Sequence, residues 1–209
     1  MALFITFEGA EGSGKTLQAR ALYRKLSRLT IPALLTHEPG GTPSGERIAR
    51  LLKWAQDMDI SPLTELMLFN ASRAQLVREV IQPALKSGKV VICDRYTDST
   101  TAYQSYGRGL DLETVKAINT IATQGLNPDL TILLDIPVEE GLARKREKKR
   151  DRFEQENIAF HYRVREGYLK MAVAEPEQWL VIDATLPKKK IAQIIWTKVR
   201  QLISNRSTE

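Results

Sequence analysis

The chain has 209 residues, 43% of them hydrophobic and 27% charged, which suits one compact domain with a sizeable core and would leave two domains small. Its one cysteine, Cys93, excludes an internal disulfide and any multi-cysteine metal site. No apolar run approaches membrane-spanning length and no early segment reads as a signal sequence, so a reducing cytoplasm is the expected setting.

In chain order, the first element is an apolar strand at Leu3–Glu8 that runs directly into Gly9, Ala10, Glu11, Gly12, Ser13, Gly14, Lys15 and Thr16. That spacing fits the G-x-x-x-x-G-K-[ST] phosphate-binding loop. Gly9, Gly12 and Gly14 let the backbone curl with its N–H groups inward, making an anion-sized nest. The helix that follows (Lys15–Leu29, apolar at Leu17, Leu22, Leu26 and Leu29) adds its positive end. Lys15 is placed to reach the β- and γ-phosphates, and Thr16 to offer a hydroxyl to Mg²⁺. The loop therefore predicts binding of a nucleoside triphosphate.

Strand and helix then alternate. Strands are expected at Ala33–His37, Lys89–Asp94, Leu130–Asp135 and Trp179–Asp183, several of them near-continuous apolar runs suited to burial on both faces. Helices are expected at Ser44–Trp54, Pro62–Ser87, Thr97–Tyr106, Leu112–Thr123, Pro137–Lys148, Asn157–Ala174 and Lys188–Ser204. Ser61-Pro62 opens one helix, Ser87-Gly88 closes it, and Pro137 starts another. The pattern predicts an α/β fold of the P-loop NTP hydrolase/kinase type, a five-stranded parallel sheet with helices on both faces and a single domain over residues 1–209. Such sheets bind ligands at the carboxyl ends of their strands. This rule selects His37–Thr42, Asp94-Arg95-Tyr96 and the loop after Asp135 for the second half of the site.

The net charge is +6, and Arg144–Arg152 alone carries +5, from seven basic residues against Glu147 and Asp151. A solvated helix would explain such a run; a compact polyanion such as a nucleotide would also. A long nucleic-acid backbone wants a stripe or face, and none is present. With two histidines in all, His37 and His161, no nucleophile–base triad is in view.

Taken together, Phe7–Thr16, Glu38–Thr42, Leu68–Arg73, Asp94–Gly109 and Asp151–Glu154 resemble thymidylate kinases, and the likeness runs from Phe4 to about Thr185. The phosphate loop alone names only a superfamily; Asp-Arg-Tyr followed by Ala-Tyr-Gln and Gly-Arg-Gly is far more specific. The resemblance implies transfer of the ATP γ-phosphoryl group to dTMP with Mg²⁺ in a cytoplasmic homodimer, without nucleic acid or membrane as partner. Kinases of other monophosphates, dUMP among them, are the competing reading. The acceptor oxygen is already ionised, so the transfer needs positioning and charge neutralisation more than a general base.

What the resemblance implies for single residues follows. Lys15 stabilises transferring charge, and Thr16 and Asp94 hold the metal; Asp94 alternatively acts through water or orients Arg95. Arg95 contacts the acceptor phosphate or the transferring group, or else pairs with a neighbouring carboxylate. Glu11 meets the sugar 3′-hydroxyl; Glu8, read from the sequence apart from the resemblance, braces the loop by bonding backbone N–H groups. Phe69 stacks on the base, although taken alone it reads better as core, and Arg73 bonds the base's carbonyl edge. Tyr103 lies beneath the deoxyribose; Gln104 and Ser99 complete the acceptor site. A lid of about residues 144–156 supplies Arg146, Arg150 or Arg152 to the reaction, because Gly12 stands where other members carry a loop arginine. Arg144 lies along the adenine. Two departures stand out: His37 replaces an arginine that many bacterial members carry, and Ala49, between Arg47 and Arg50, replaces another.

Overall fold

The computed structural model describes residues 2–55, 58–144 and 151–206. Its sheet contains β1 (Leu3–Glu8), β2 (Ala33–His37), β3 (Val90–Asp94), β4 (Leu130–Asp135) and β5 (Trp179–Asp183) in the order β2-β3-β1-β4-β5. Every pairing is parallel. Leu3 pairs with Val90 on one side of β1, and Ile5 pairs with Leu130 on the other. β1 is central, and all six of its residues are buried.

Alternation along the strands feeds three buried clusters, one of them gathering Leu133 and Trp179 with Phe160, Val164 and Tyr168. Leu3, Ile5, Phe7, Val90, Ile92, Leu130 and Ile132 face α1 (Lys15–Arg28) and α9 (Lys188–Arg206), packing on Leu22, Leu26, Ile191, Ile195 and Val199. Phe4, Val91 and Cys93 point the other way, onto Leu76, Val77, Ile81 and Tyr96. Each fully buried Leu, Ile or Phe contributes roughly 1.5–3 kcal/mol, so the strands are held from both sides.

The remaining helices are α2 (Pro43–Trp54), α3 (Pro62–Leu76), α4 (Gln82–Lys86), α5 (Thr97–Thr100), α6 (Leu112–Thr123), α7 (Val138–Ala143) and α8 (Ile158–Ala174). Ser61 caps α3 by accepting from the Thr64 N–H, and Pro62 occupies its first turn, where a missing N–H costs nothing. The single helix expected over Pro62–Ser87 is α3, a wider π-helical turn at Val77–Ile81, and α4. The helix expected at Thr97–Tyr106 is α5 followed by a π-helical stretch at Thr101–Gly107. The second wide turn carries Tyr103 and Gln104 at the ligand end of the sheet, whereas the first packs Val77 and Ile81 against Phe4 and Val91. The expected helix at Pro137–Lys148 is described only as far as Ala143.

Candidate active site

A cleft of about 1220 Å³ opens at the carboxyl ends of β1, β2 and β3. The turn after β1 forms one wall. Gly14 caps α1 in a left-handed conformation (φ 91°), with nothing within 4 Å of where its Cβ would stand. Gly12 (φ 71°) is different. A Cβ there would lie 2.0 Å from the Gly141 carbonyl oxygen of α7, and a Cβ on Gly141 would lie 2.3 Å from the Glu11 carbonyl oxygen. The two backbones touch because both residues are glycine.

Lys15 folds back over the turn. Its Nζ donates to the Gly9 and Ala10 carbonyls at 2.8 Å each and to Ser13 Oγ at 3.3 Å. Burial, followed by the nearby Arg95 cation, lowers its pKa to about 8. Thr16 Oγ1 donates to Asp94 Oδ2 at the end of β3, so two oxygen ligands from different elements stand together. Among the described residues no cluster of three or more metal-ligating side chains occurs. A pair of oxygens of this kind fits Mg²⁺, which completes its octahedron from water and phosphate.

Arg95, just past β3, adopts φ 74°, a strained backbone for a long side chain. Its Nη2 donates to Glu11 Oε1 at 2.6 Å, and Tyr103 Oη donates to the same carboxylate oxygen at 2.8 Å. Nη1 donates to Ser99 Oγ at 3.2 Å, and the guanidinium lies 5.2 Å from the Tyr103 ring centre. Arg95 therefore has the neighbouring carboxylate that one expectation named, and that carboxylate belongs to the loop itself. Glu8 does not brace the loop. It is wholly buried and accepts from the Tyr96 N–H at 2.7 Å, Ser99 Oγ at 2.6 Å and Tyr168 Oη at 2.9 Å, which locks the exit of β3 against α8. Burial raises its carboxyl pKa, and the bonds from Ser99 and Tyr96 pull against that rise.

At the far end of the cleft Phe69 stacks obliquely on Phe153, centroids 5.6 Å apart, and both rings line the cavity. Arg73 is only 1% exposed. Its Nε donates to Glu38 Oε2 at 2.8 Å, Nη1 to Asn70 and Asn119 at 3.1 and 2.8 Å, and Nη2 to the Tyr96 carbonyl at 3.0 Å with Glu38 Oε2 at 2.7 Å. Four of its five N–H groups are thus hydrogen-bonded, and the Nη2 ion pair reaches the same Glu38 oxygen that Nε bonds. Burial pushes the Glu38 carboxyl up to about 7 against the pull of Arg73. Gln104 donates to Glu65 Oε1 at 2.8 Å. His37 reaches Glu46 at 3.1 Å on the cleft rim, both half-exposed. The Gly41 N–H bond is the largest influence lowering the Glu46 pKa. Ala49 is buried, whereas Arg47 and Arg50 are exposed and do not line the cleft.

A thymidylate kinase family model matches residues 7–195. A thymidylate kinase of Dehalococcoides mccartyi (strain CBDB1) is 56% identical over 207 residues, covering 99% of this chain and 100% of that protein. That of Trichlorobacter lovleyi is 46% identical, covering 92% of this chain and 94% of that one. The chain belongs to the thymidylate kinase family. The crystal structure of thymidylate kinase from Ehrlichia chaffeensis superposes with a TM-score of 0.77 at 33% identity, covering 95% of this chain and 98% of that chain. The P-loop kinase fold expected from the sequence is therefore the fold of the family.

Of the expected lid, residues 144–156, the structure describes Arg144 and residues 151–156. Arg146 and Arg150, both expected as catalytic cations, lie outside the described residues. Arg144 lines the cleft beside Ala184, bonding its carbonyl at 3.2 Å and Glu140 at 2.8 Å. Arg152 is taken up elsewhere: Nε donates to the Leu52 carbonyl at 3.2 Å and Nη2 to Glu65, and the residue does not line the cleft. To meet a phosphate, as its expected catalytic role requires, Arg152 would have to leave that buried carboxylate.

Glu65 and Asn119 escaped sequence reading. Glu65 is 0% exposed and gathers Gln104, Arg108 and Arg152. Asn119 ties Arg73 to Thr101 Oγ1 and the Thr97 carbonyl. Asn119, on α6, left no such signal; for Glu65 the available signal was α3 itself. Leu66, Asn70, Arg73 and Val77 share one helical face, so its buried stripe had to include polar groups with partners.

Proposed function

We propose that this chain phosphorylates dTMP to dTDP with MgATP, as one soluble cytoplasmic domain, working as a homodimer through helices of the α3 side. The observation that carries the reading is the meeting of Lys15, Thr16–Asp94, Arg95 and Glu11 in one cleft whose far end is lined by Phe69, Arg73 and Gln104. The loop N–H groups and Lys15 hold the donor phosphates, and Lys15 leaves its carbonyl partners to do so. Mg²⁺, when bound at Thr16 and Asp94, neutralises phosphate charge.

Arg95 holds the acceptor phosphate, and Glu11 takes the 3′-hydroxyl, each kept in place by the other before substrate arrives. Pre-organisation of this kind contributes at the moment of reaction because little has to reorient. Ser99 and Tyr103 hold Arg95 and the sugar. His37, on the rim, approaches the acceptor phosphate in the role usual for an arginine. Phe69 stacks on the base while Arg73 and Gln104 meet its polar edge. Arg144 lies along the adenine, and Arg146 or Arg150 closes over the transferring group. The acceptor oxygen is already ionised, so no side chain has to remove a proton.

A coupled ADP-release assay with dTMP, dUMP, UMP and AMP tests the reading. dTMP is expected to give the highest kcat/KM; a poor rate with dTMP beside strong turnover of UMP or AMP would remove it.

A further inference from the structure

One fully buried carboxylate holds Arg95 at both its root and its tip. Glu8 is the last residue of β1, and its Oε1 accepts from the Tyr96 N–H at 2.7 Å, next to the Arg95 backbone. The N–H of Arg95 itself donates to the Phe7 carbonyl at 2.9 Å. These two bonds secure the left-handed backbone (φ 74°) that starts the side chain into the cleft. The second oxygen of Glu8 acts at the other end. Oε2 accepts from Ser99 Oγ at 2.6 Å and from Tyr168 Oη at 2.9 Å, and those two hydroxyl oxygens lie 2.9 Å apart. Arg95 Nη1 donates to Ser99 Oγ at 3.2 Å and to Tyr168 Oη at 3.5 Å.

Two hydroxyl hydrogens serve this cluster, one from Ser99 and one from Tyr168, and a carboxylate can only accept. With both hydrogens on Oε2, the two hydroxyl oxygens turn their lone pairs toward Nη1. The other terminal nitrogen, Nη2, is held separately by Glu11 at 2.6 Å and Tyr103 at 3.4 Å. The guanidinium is thus fixed in its plane from two sides by two different carboxylates, one direct and one acting through hydroxyls. Neither Glu8 nor Tyr168 lines the cleft. Tyr168 comes from α8 and is buried, its ring edge-on to that of Tyr103 with centroids 6.5 Å apart.

We infer that Tyr168 is a positioning residue for the phosphoryl transfer: together with Ser99 it links Glu8 to Arg95 and sets the guanidinium at the angle from which it meets the acceptor phosphate. This assignment rests on the proposed function and adds a residue that acts on the substrate only through Arg95. A long arginine side chain has many rotamers, and one already held in its bound orientation gives up less freedom when the phosphate arrives.

The test is calorimetric affinity for dTMP and for thymidine, which has the same base and sugar but no phosphate, in the full chain, in Tyr168→Phe, in Arg95→Ala and in the double variant. Phenylalanine keeps the ring and deletes only the hydroxyl. Tyr168→Phe is expected to bind dTMP about fivefold more weakly and thymidine unchanged. The double variant is expected to match Arg95→Ala within about twofold, because a positioning effect disappears with the group it positions. A merely structural role would weaken both ligands together and would add to the loss in Arg95→Ala. A dTMP loss below about twofold in Tyr168→Phe, an equal loss for thymidine, or a further fivefold loss in the double variant overturns the inference. If Tyr168→Phe does not fold by thermal unfolding, Ser99→Ala, which deletes the other hydroxyl on Oε2, decides on the same criteria. Failure of the proposed function looks different: the unmodified chain would then not prefer dTMP over purine monophosphates at all.

Discussion

Gly141→Ala is a test of sign. In the interior of an ordinary helix, replacing glycine by alanine stabilises by about 1 kcal/mol, because the unfolded chain has less freedom to lose. Gly141 lies within α7, and its backbone has no left-handed conformation to defend. Propensity alone therefore predicts a more stable protein. The structure predicts the reverse, since the new methyl would stand 2.3 Å from the Glu11 carbonyl oxygen, a backbone atom that no rotamer change can move. Relief requires α7 and the phosphate loop to separate, at about 1–3 kcal/mol, and the net change is a loss of up to about 2 kcal/mol. Because the displaced atom belongs to the loop, the KM for ATP rises as well. Gly12→Ala approaches the same contact from the other side and adds about 1–2 kcal/mol for its left-handed backbone, whereas Gly14→Ala carries only that backbone cost. Urea unfolding without nucleotide ranks the three variants, and initial rates give KM. If Gly141→Ala is stabilised by about 1 kcal/mol with KM for ATP unchanged, the backbone contact between loop and α7 is not as described.

Three further outcomes are expected. His37→Ala raises KM for dTMP about fivefold with kcat little changed; an unaltered KM removes His37 from the acceptor site. Lys15, lowered to about 8 in the free protein, loses its charge as pH rises past that value, so ATP affinity by calorimetry weakens toward about tenfold per pH unit above 8; a flat profile to pH 9.5 contradicts this. Glu38 is raised from 4.5 to about 7, so the folded state holds a proton that the unfolded state releases between those values. Stability therefore falls as pH rises through that window, by about 3 kcal/mol from this residue, and Glu38→Gln flattens the decline between pH 5 and pH 8. Equal slopes with and without the substitution refute it.

The five strands were legible to within one residue, because runs such as Leu3–Phe7 and Leu130–Leu134 are buried on both faces and bounded by polar residues at the ligand end. The phosphate loop was legible because its chemistry depends on residue type and spacing. The two π-helical turns were not, since a change from i+4 to i+5 bonding leaves no mark in composition. Individual roles were harder to read. Arg152 looks like any other cation in the run from Arg144, and only the fold shows that Glu65, far away in sequence, takes it up. Tyr168 sits in no recognisable motif, and its tie to Arg95 becomes visible only when α8 is packed against the exit of β3.

The carboxylate at position 65 has a consequence for anyone transplanting parts of this enzyme. It joins α3, Arg108 at the end of the wide turn, and Arg152, and its own side chain is fully shut off from solvent. A segment grafted here from another kinase without a cation at 152 would strip one counter-charge from a fully sequestered anion. Chimeras in this region should therefore be exchanged as a set of three positions, 65, 108 and 152, rather than as a contiguous loop.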